Sequence, residues 1–431
     1  MNALYDYVII GGGISGLYCV DKLFEKYGNE KSILLLDERS YHGGRLLTNK
    51  RPKFELGAAR FNDNHVLLKK LLKKYNKSYT KLGTQIDFIH DEDDRITYFN
   101  HAEEPFKNYM MKIIKKSKSF SESYLKSVSL KDFIDKITGS SELSSKLIHI
   151  FGYDSEITQM NAFDSLESME NDFMASNFYV LNQGFSSLCE SISDALDKNK
   201  NIEMYKNSRV IDVKLLQDKT STSMYNIKYI HLTKDIKLNI NSRNIIFAIK
   251  SKQITNFPLL KSIHRYTACI YDAPLLRVYA KYPKQKSHND KVWFNTLNRT
   301  TTNNMLRQII PIDKESGLIM ISYTDGRDTK PFCDVKNGKF ILKSDEELKK
   351  MISTQLDQLF PHCKISKPTY FKAYLWNIGA HHWKPGCDSE QIIQKVRNPM
   401  NGAYVIGEAF SRKQAWVEGA LDSVEDIITE L

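Results

Sequence analysis

A glycine-rich turn close to the start of the chain constrains its fold more than any other feature. Residues 7–10 are apolar, the motif Gly11-x-Gly13-x-x-Gly16 follows, and apolar residues then recur at helical spacing through residues 17–27. This order predicts a strand, a tight turn and a helix. Gly11 permits the turn, Gly13 lets a diphosphate approach the backbone, and Gly16 lets the helix pack closely on the strand. The diphosphate of a dinucleotide would then lie at the helix N-terminus, where free backbone N–H groups favour anions.

A second apolar run, residues 33–36, ends on Asp37, which follows Gly16 by 21 residues. A carboxylate at the end of the second strand can accept hydrogen bonds from the ribose hydroxyls of an adenine dinucleotide. Because the strand, turn, helix and acidic residue all fall where dinucleotide binding requires them, we predict a Rossmann-like domain here. The cofactor-binding residues predicted in this stretch are Gly11, Gly13, Ile14, Ser15, Gly16, Asp37, Glu38 and Arg39.

The residues after the second strand indicate which dinucleotide is bound. Asp37-Glu-Arg-Ser-Tyr-His-Gly-Gly-Arg45 resembles a signature of the flavin-containing amine oxidase superfamily, the monoamine and polyamine oxidases, and plain nicotinamide-binding domains lack this signature. The resemblance implies FAD as the cofactor, with Gly44 and Arg45 beside its diphosphate. It also implies an α/β fold in which a Rossmann-like, glutathione-reductase-type FAD-binding domain is built discontinuously. A substrate domain with an antiparallel or mixed sheet and a helical insertion would complete the chain.

The domain organisation follows from the same resemblance and from changes in character along the chain. We assign residues 1–75, 181–255 and 395–431 to the FAD-binding domain. We assign residues 76–180 and 256–394 to the substrate-binding domain. Its part around 100–180 is rich in charged residues, has serine-rich connecting segments and is compatible with long helices. Asn207-Ser-Arg-Val210 resembles the middle strand that meets adenine in this superfamily, although a valine in the core of a strand would give the same pattern.

The C-terminal region carries a second specific match. Gly407-Glu408 follows a predicted strand, and Ala415-Trp416-Val417-Glu-Gly-Ala420 comes after a short loop. In the superfamily this segment ends in a helix whose N-terminal amides face the flavin. The resemblance therefore implies cofactor contacts for Gly407, Glu408, Trp416, Val417 and Ala420. It also implies that Ala415 and Trp416 line the substrate site, whereas the alternative for Trp416 is a plain core tryptophan.

Two stretches distinguish members of the superfamily. Gly57-Ala58-Ala59-Arg60, with a histidine five residues later, resembles L-amino-acid oxidases, in which the arginine grips the substrate carboxylate and the stretch borders the cofactor. Tyr323 lies in a stretch that resembles the strand whose tyrosine holds the other carboxylate edge. A planar guanidinium suits this role because it binds a carboxylate through two parallel hydrogen bonds. The alternatives are an Arg60 that pairs with a surface acid and a Tyr323 that is a half-buried strand aromatic.

Two departures from the superfamily concern catalysis and cofactor attachment. Arg277 corresponds to the lysine that holds a water at flavin N5, so it is a candidate catalytic residue together with Trp416, although an arginine cannot position that water identically. Ala380 falls near the position where monoamine oxidases attach FAD through a cysteine, which predicts non-covalent FAD. Trp376 and His381 are further candidates for the substrate site, and a structural role is the alternative for His381.

Composition argues against several other classes of protein. The chain of 431 residues has a net charge of +11, but its lysines are spread along the whole sequence, so we expect no specific nucleic-acid binding. Its 6 cysteines have no paired spacing, which predicts free thiols in a reducing compartment and neither a disulfide framework nor a metal site. The sequence has no signal-peptide pattern and no apolar run long enough to cross a bilayer, so we expect a cytoplasmic protein that does not enter a membrane.

Together these features predict an FAD-dependent L-amino-acid oxidase that uses O2. The resemblance implies oxidation of the α-amino group to an imino acid, which hydrolyses to an α-keto acid and ammonia, while O2 becomes hydrogen peroxide. The expected partners are a small amine or amino-acid substrate and O2, and a homodimer is left open. The nearest alternative is a polyamine or monoamine oxidase of the same fold. An amino-acid monooxygenase, a lysine-peptide demethylase and a flavin-binding interaction protein without turnover are further alternatives.

Overall fold

The structure is a computed structural model, and it describes residues 3–92, 95–174, 177–216, 224–337 and 339–431. The strands in these ranges are β1 Leu4–Ile10, β2 Ile33–Leu36, β3 Thr48–Lys50, β4 Lys53–Glu55, β5 Phe61–Asn62, β6 Tyr79–Lys81, β7 Ile86–Glu92, β8 Arg95–Phe99, β9 Phe178–Leu181, β10 Ile202–Tyr205, β11 Ser208–Leu216, β12 Met224–His231, β13 Ile236–Phe247, β14 Ile270–Lys281, β15 Arg299–Thr302, β16 Gln308–Asp313, β17 Leu318–Asp325, β18 Cys333–Lys336, β19 Lys339–Leu342, β20 Tyr370–Trp383 and β21 Ala403–Val405.

The α-helices of the described chain are α1 Ile14–Tyr27, α2 Val66–Lys74, α3 Glu103–Ser117, α4 Glu122–Ser127, α5 Leu130–Thr138, α6 Glu142–Phe151, α7 Ser155–Thr158, α8 Ala162–Ser168, α9 Phe185–Leu196, α10 Asp345–Leu359, α11 Ser389–Arg397 and α12 Val417–Ile428. Turns of 3-10 helix span Ser251–Asn256, Pro258–Cys269, Lys286–His288, Gly326–Phe332 and Glu408–Phe410, and a π-helix spans Met169–Phe173.

The chain divides into two compact units, which are described one at a time. Over the described residues, unit 1 comprises Met1–Leu82, Ser176–Ile270 and Cys387–Leu431, and unit 2 comprises Gly83–Ala175 and Tyr271–Gly386. The assignment of one unit to the cofactor and of the other to the substrate remains a prediction. Within the described ranges, no helix is long and apolar enough to cross a bilayer.

Unit 1 is built on a seven-stranded sheet in the order β10-β2-β1-β13-β12-β11, with β21 also paired to β13. The pairs β10·β2, β2·β1, β1·β13 and β13·β21 are parallel, and the pairs β13·β12 and β12·β11 are antiparallel. β2 is buried along its whole length and β1 over its last four residues, as expected of parallel strands that are covered on both faces. The predicted Rossmann-like arrangement of strand, glycine turn and helix is confirmed.

One hydrophobic core joins β1 and β2 to helices α1, α2, α9 and α12. In α1 the buried residues Leu17, Val20 and Leu23 recur at three-residue intervals, which puts them on one face of the helix. The C-terminal elements of the unit are held by Arg397 at the end of α11. Its guanidinium donates to the carbonyl oxygens of Val405 and Phe410, at 3.0 and 2.9 Å. These bonds fasten α11 to the strand β21 that joins the main sheet.

The prediction of free cysteines is wrong for one pair. Cys269 and Cys387 form a disulfide, with their Cα atoms 5.7 Å apart and a sequence separation of 118, whereas the other four cysteines are free thiols. Spacing in the sequence could not reveal the pair, because only the fold brings the end of Pro258–Cys269 to the start of α11. Both cysteines belong to unit 1, at the points where the chain leaves for Tyr271–Gly386 and returns from it. The disulfide therefore closes the loop of chain that Tyr271–Gly386 forms.

Unit 2 is built on a seven-stranded sheet in the order β20-β14-β17-β16-β15-β7-β8. The pair β15·β7 is parallel, and the pairs β14·β17, β17·β16, β16·β15 and β7·β8 are antiparallel, so the sheet is mixed as predicted. Six helices of the described chain, α3 to α8, form the predicted helical insertion. Three of these helices begin at a polar capping residue. The side chains of Ser121, Ser129 and Asn161 accept hydrogen bonds from backbone N–H groups in the first turns of α4, α5 and α8.

We predict that removing the disulfide destabilises the protein. The double variant Cys269→Ala/Cys387→Ala loses a link that spans 118 residues. In the chain-entropy account such a link stabilises the folded state by up to about 5 kcal/mol. Thermal unfolding of the variant should therefore have a lower midpoint than that of the oxidised wild type. A reductant should lower the wild-type midpoint and leave that of the variant unchanged. Equal midpoints for all of these samples would show that the link contributes no stability.

Candidate cofactor and substrate site

The glycine turn between β1 and α1 is as tight as its sequence predicts. Gly11 has a φ of +107° and donates its N–H to the carbonyl oxygen of Leu36 (2.8 Å), which ties the turn to the end of β2. A Cβ on Gly16 would collide with the carbonyl oxygen of Gly11, and a Cβ on Gly11 would collide with that of Ala248. The fold itself therefore requires glycine at both positions.

Gly13 differs from these glycines because space lies in front of it. Its φ of −67° suits any residue, and a Cβ placed there would have Gly44 Cα, at 4.0 Å, as its nearest heavy atom. Gly13 is the N-cap of α1, no side chain caps this helix, and its first turn has no acidic residue. Ile14 and Ser15 are buried in that turn. This open, uncapped helix N-terminus fits a phosphate group.

Asp37 at the end of β2 is almost fully buried, with 5% exposure. Its Oδ2 accepts the N–H of Gly12 (2.6 Å), and its Oδ1 accepts the N–H of Arg39 (2.7 Å). Burial raises the pKa of Asp37, and the two N–H groups oppose that rise. The carboxylate therefore fixes the glycine turn, a role that sequence reasoning did not foresee, and keeps lone pairs for a ribose. Its neighbour Glu38 is exposed.

Arg39 connects this corner to two other predicted cofactor segments. Its Nη1 donates to the carbonyl oxygen of Gly44 (2.9 Å) and to the hydroxyl of Tyr41 (2.6 Å). Its carbonyl oxygen accepts the N–H of Asn207 (2.8 Å), immediately before β11. The structure thus brings the start of the strand that carries the half-buried Val210 to the end of β2. Contact between Val210 and adenine remains a prediction.

Three motifs that are distant in sequence meet at Arg45. Its Nη1 lies 2.9 Å from Oε1 of the buried Glu408, in the C-terminal region. Its carbonyl oxygen accepts the N–H of Ala58 (3.1 Å), and a Cβ on Gly57 would collide with the same oxygen. Gly407 precedes this contact with a φ of +119°. The N-terminal, Gly57 and C-terminal motifs therefore lie together within unit 1.

A residue that sequence reasoning missed fastens the C-terminal helix to α2. Glu418 is 1% exposed in the first turn of α12, and its carboxylate oxygens accept the N–H groups of Leu67 and Leu68, each at 2.9 Å. Glu418 thus caps α2 from another helix. The buried ring of Trp416, the N-cap of α12, lies 4.8 Å from that of His65, the N-cap of α2. An acidic residue in an apolar helical turn was the signal available in the sequence.

The remaining predicted site residues of unit 1 are Arg60 and the neighbours of Trp416. Ala415 is exposed and has a φ of +65°, a conformation that costs a residue with a Cβ roughly 1–2 kcal/mol and that is typical of functional sites. Val417 and Ala420 are buried at the start of α12. The guanidinium carbon of Arg60 lies 4.9 Å from the ring centroid of Phe178, in a cation–π contact.

In unit 2 the structure brings Arg277 and Tyr323 together. They are register partners on the antiparallel strands β14 and β17. Nη2 of Arg277 donates to the hydroxyl of Tyr323 (3.2 Å), and its guanidinium carbon lies 4.6 Å from the ring centroid. Arg277 is 4% and Tyr323 9% exposed. A positively charged guanidinium is therefore buried against the ring and the hydroxyl of Tyr323.

A buried polar network, which sequence reasoning also missed, supports this pair. The ring of Tyr153 packs edge-on against Tyr323, with centroids 5.2 Å apart. The next two residues, Asp154 and Ser155, donate their N–H groups to the carboxylate of Asp325 at 2.8 and 2.9 Å. Burial raises the pKa of Asp325 to about 6. The turn that carries Tyr153 is therefore fixed to the end of the strand that carries Tyr323.

The other predicted substrate residues lie on β20. Trp376 is buried with its ring centroid 5.1 Å from that of Tyr374, Ala380 is buried, and His381 is fully buried with its Nε2 3.4 Å from Oδ1 of Asp272. Contacts of these residues with a substrate or cofactor remain a prediction. The described part of the chain contains no group of three or more His, Cys, Asp or Glu side chains that could hold a metal ion.

The predicted carboxylate clamp divides between the two units. Arg60 belongs to unit 1, and Tyr323 belongs to unit 2. Each residue has an aromatic or hydrogen-bonded partner within its own unit, as described above. The clamp itself therefore remains a prediction.

Comparison with known proteins first identifies the domain around the glycine turn. The family of NAD(P)-binding Rossmann-like domains matches residues 9–75, which include the turn, Asp37 and the stretch that ends in Arg60. These residues therefore form a Rossmann-like dinucleotide-binding region.

The whole chain has the fold of putrescine oxidase. The structure of wild-type putrescine oxidase bound to putrescine matches 99% of this chain and 98% of its own, with a TM-score of 0.75 and 13% sequence identity. A double mutant of putrescine oxidase, made in a structure-based redesign of cofactor binding, matches 99% of both chains, with a TM-score of 0.73 and 14% identity. The monoamine and polyamine oxidase fold that the motifs predicted is thus confirmed. The uncharacterized protein R188 of Acanthamoeba polyphaga mimivirus is 20% identical over 99% of this chain and 93% of that protein.

We predict that alanine acts differently at Gly13 and at Gly16. Gly13→Ala should leave the unfolding midpoint of the cofactor-free protein unchanged, because its Cβ has no near neighbour. The added methyl group fills the diphosphate space, so the Kd for FAD should rise by at least about tenfold. Gly16→Ala should lower the yield of folded protein, because its Cβ collides with Gly11. Titration of both variants with FAD checks this, and wild-type affinity in Gly13→Ala would show that the diphosphate does not lie at this turn.

Proposed function

We propose that this chain is an FAD-dependent amine oxidoreductase that acts on L-amino acids and holds its FAD non-covalently. FAD is favoured over a nicotinamide dinucleotide because the glycine turn is joined by a Gly-Gly-Arg motif. Arg45 of this motif pairs with Glu408 of the C-terminal region, as a shared flavin site would require. Non-covalent attachment is supported by Ala380, which stands near the position where a linking cysteine would be expected.

The chemistry of the reaction would belong to the cofactor, because bound FAD accepts hydride from an amine. The chain would supply binding and orientation. The uncapped N-terminus of α1 suits the diphosphate, and the remaining lone pairs of Asp37 suit the ribose. Trp416 would provide an aromatic wall for the substrate amine, with Glu418 holding its helix to α2.

The Arg277–Tyr323 pair is the observation that carries the choice of substrate. A buried guanidinium attracts an anionic group and opposes a second ammonium group, so it favours an amine that bears a carboxylate over a diamine. Tyr323, whose hydroxyl accepts from Arg277, would hold the other edge of the carboxylate, as the resemblance to L-amino-acid oxidases implies. Arg60 would bind the carboxylate through two parallel N–H groups. In the net reaction an L-amino acid, O2 and water give an α-keto acid, ammonia and hydrogen peroxide.

A polyamine oxidase is the second candidate, because the putrescine oxidase structure that this chain resembles has putrescine bound. Putrescine is a diamine without a carboxylate. A substrate of that kind would gain nothing from Arg60 or from the positive charge of Arg277. The two candidates therefore differ in one testable requirement, the carboxylate of the substrate.

We predict that the purified protein, supplied with FAD and air, produces hydrogen peroxide with at least one L-amino acid. A peroxide assay over the common L-amino acids, with putrescine, spermidine and phenethylamine beside them, measures this. The amines should be poor substrates, because each lacks the carboxylate that the proposed site binds. Preference for putrescine or spermidine would replace the amino-acid proposal with the polyamine one.

We predict that Arg60→Ala lowers kcat/KM for the best L-amino acid by roughly thirty- to several-thousand-fold. Truncating one partner of a buried charge pair costs roughly 2–5 kcal/mol. Arg60→Lys should recover only part of the loss, since an ammonium group supplies charge without the planar fork. Tyr323→Phe should reduce transition-state stabilisation by about 0.5–1.5 kcal/mol or somewhat more, because it also removes the group that accepts a hydrogen bond from Arg277.

Two controls accompany the Arg60 measurement. Arg60→Ala should leave kcat/KM for the decarboxylated amine of the best substrate nearly unchanged. Arg265→Ala removes another arginine that stacks on an aromatic ring, 4.8 Å from the centroid of Tyr266 at the surface, and should leave kcat/KM unchanged. If Arg60→Ala slowed amine and amino acid equally, the carboxylate clamp would be wrong.

A further inference from the structure

Unit 2 contains an aromatic cavity that the proposed reaction does not use. Its volume is about 260 Å³, and it lies between the hairpin β7–β8, the segment before β15 and the chain after α10. Its walls include Phe88, Phe99, Trp293, Phe294 and Phe360. A cavity of this size holds a single ring with a short substituent.

One carboxylate, that of Asp87 on β7, lines the cavity. It accepts hydrogen bonds from the side chains of Gln85 (3.1 Å) and Asn298 (2.9 Å) and from the N–H of His101 (3.4 Å). All of these donors are neutral, and a carboxylate offers about four lone-pair sites. Asp87 is therefore held in place by donors that carry no positive charge.

The described lining of the cavity provides no positive charge to neutralise Asp87. Among the described residues that line the cavity there is no lysine, arginine or histidine, and in the same described ranges Asp87 forms no ion pair. The imidazole of His101 contacts Glu103 instead, at 3.2 Å. A half-buried negative charge beside aromatic faces is the combination that binds organic cations, because ring faces attract a cation electrostatically.

The rim of the cavity is apolar and fixed. Tyr98 and Phe99 are 56% and 48% exposed, which is unusual for large aromatic side chains. The hydroxyl of Tyr98 donates to the carbonyl oxygen of Leu359 (2.6 Å), and the ring of Phe99 stacks on Phe88 at 5.9 Å. A ligand in the cavity would cover this apolar surface without any need to rearrange the rim.

We propose that this cavity binds a small organic cation, an ammonium ion that carries an aromatic or branched alkyl group. Asp87 supplies the counter-charge, and Trp293 with its aromatic neighbours supplies the ring faces. The site is separate from the residues that the proposed reaction uses. The proposed cation site therefore does not depend on the proposed reaction.

Cys363 lines the cavity, so its reactivity gives a local readout of binding. The structure describes all six cysteines, and Cys363 is the one free thiol among them that is partly exposed. Burial raises its pKa, so its alkylation by iodoacetamide should be slow enough to follow by mass spectrometry. The probe is benzyltrimethylammonium, whose quaternary nitrogen cannot form an imine and which is therefore no substrate for amine oxidation.

In the wild-type protein, benzyltrimethylammonium should slow the alkylation of Cys363 saturably. Benzyl alcohol and phenylacetate, which are neutral and anionic, should protect with Kd values at least about tenfold higher. This comparison of three probes depends on no variant. Absence of saturable protection, or equal protection by phenylacetate, would overturn the proposal.

Asp87→Asn tests the counter-charge. It should raise the Kd of benzyltrimethylammonium by about tenfold and leave protection by benzyl alcohol unchanged. Glu92→Gln is the matched control, since it removes the same charge from the same strand at a side chain that is 72% exposed and outside the cavity. Equal cation affinity in the wild type and in Asp87→Asn would contradict the assigned role of Asp87.

Discussion

The close packing of α1 on β1, which Gly16 makes possible, is the constraint on which unit 1 depends. Because position 16 carries no side chain, the helix begins directly at the end of the strand, and its N-terminal N–H groups open onto the space in front of Gly13. The other predicted cofactor residues are arranged around that space. Asp37 holds the turn from the end of β2, and Arg45 connects the turn to the C-terminal region.

Buried carboxylates that accept pairs of backbone N–H groups recur as structural anchors in both units. Asp37 accepts from Gly12 and Arg39, Glu418 from Leu67 and Leu68, and Asp325 from Asp154 and Ser155. Charge-assisted bonds of this kind are stronger than neutral ones, and loss of the acceptor would leave two N–H groups unsatisfied at about 1–3 kcal/mol each. These carboxylates hold the loops and helix ends that carry the candidate site residues.

The sequence predicted what local pattern determines. Hydrophobic periodicity and the glycine spacing predicted β1, the turn and α1, and the motifs predicted the amine oxidase fold. Contacts between distant residues could not be predicted, because no spacing rule encodes them. The disulfide Cys269–Cys387, the cap that Glu418 provides for α2, and the support of Tyr153 by Asp325 are of this kind. The contact between Arg277 and Tyr323 also needed the register of β14 against β17.

The central claim is that this chain uses FAD to oxidise an amine that bears a carboxylate. Anaerobic mixing tests it most directly, because bleaching of the oxidised flavin reports hydride transfer without dependence on O2. The account predicts that an L-amino acid bleaches the yellow absorbance of the FAD-loaded protein much faster than the corresponding decarboxylated amine. Faster bleaching by the amine, or no bleaching by any L-amino acid, would contradict it.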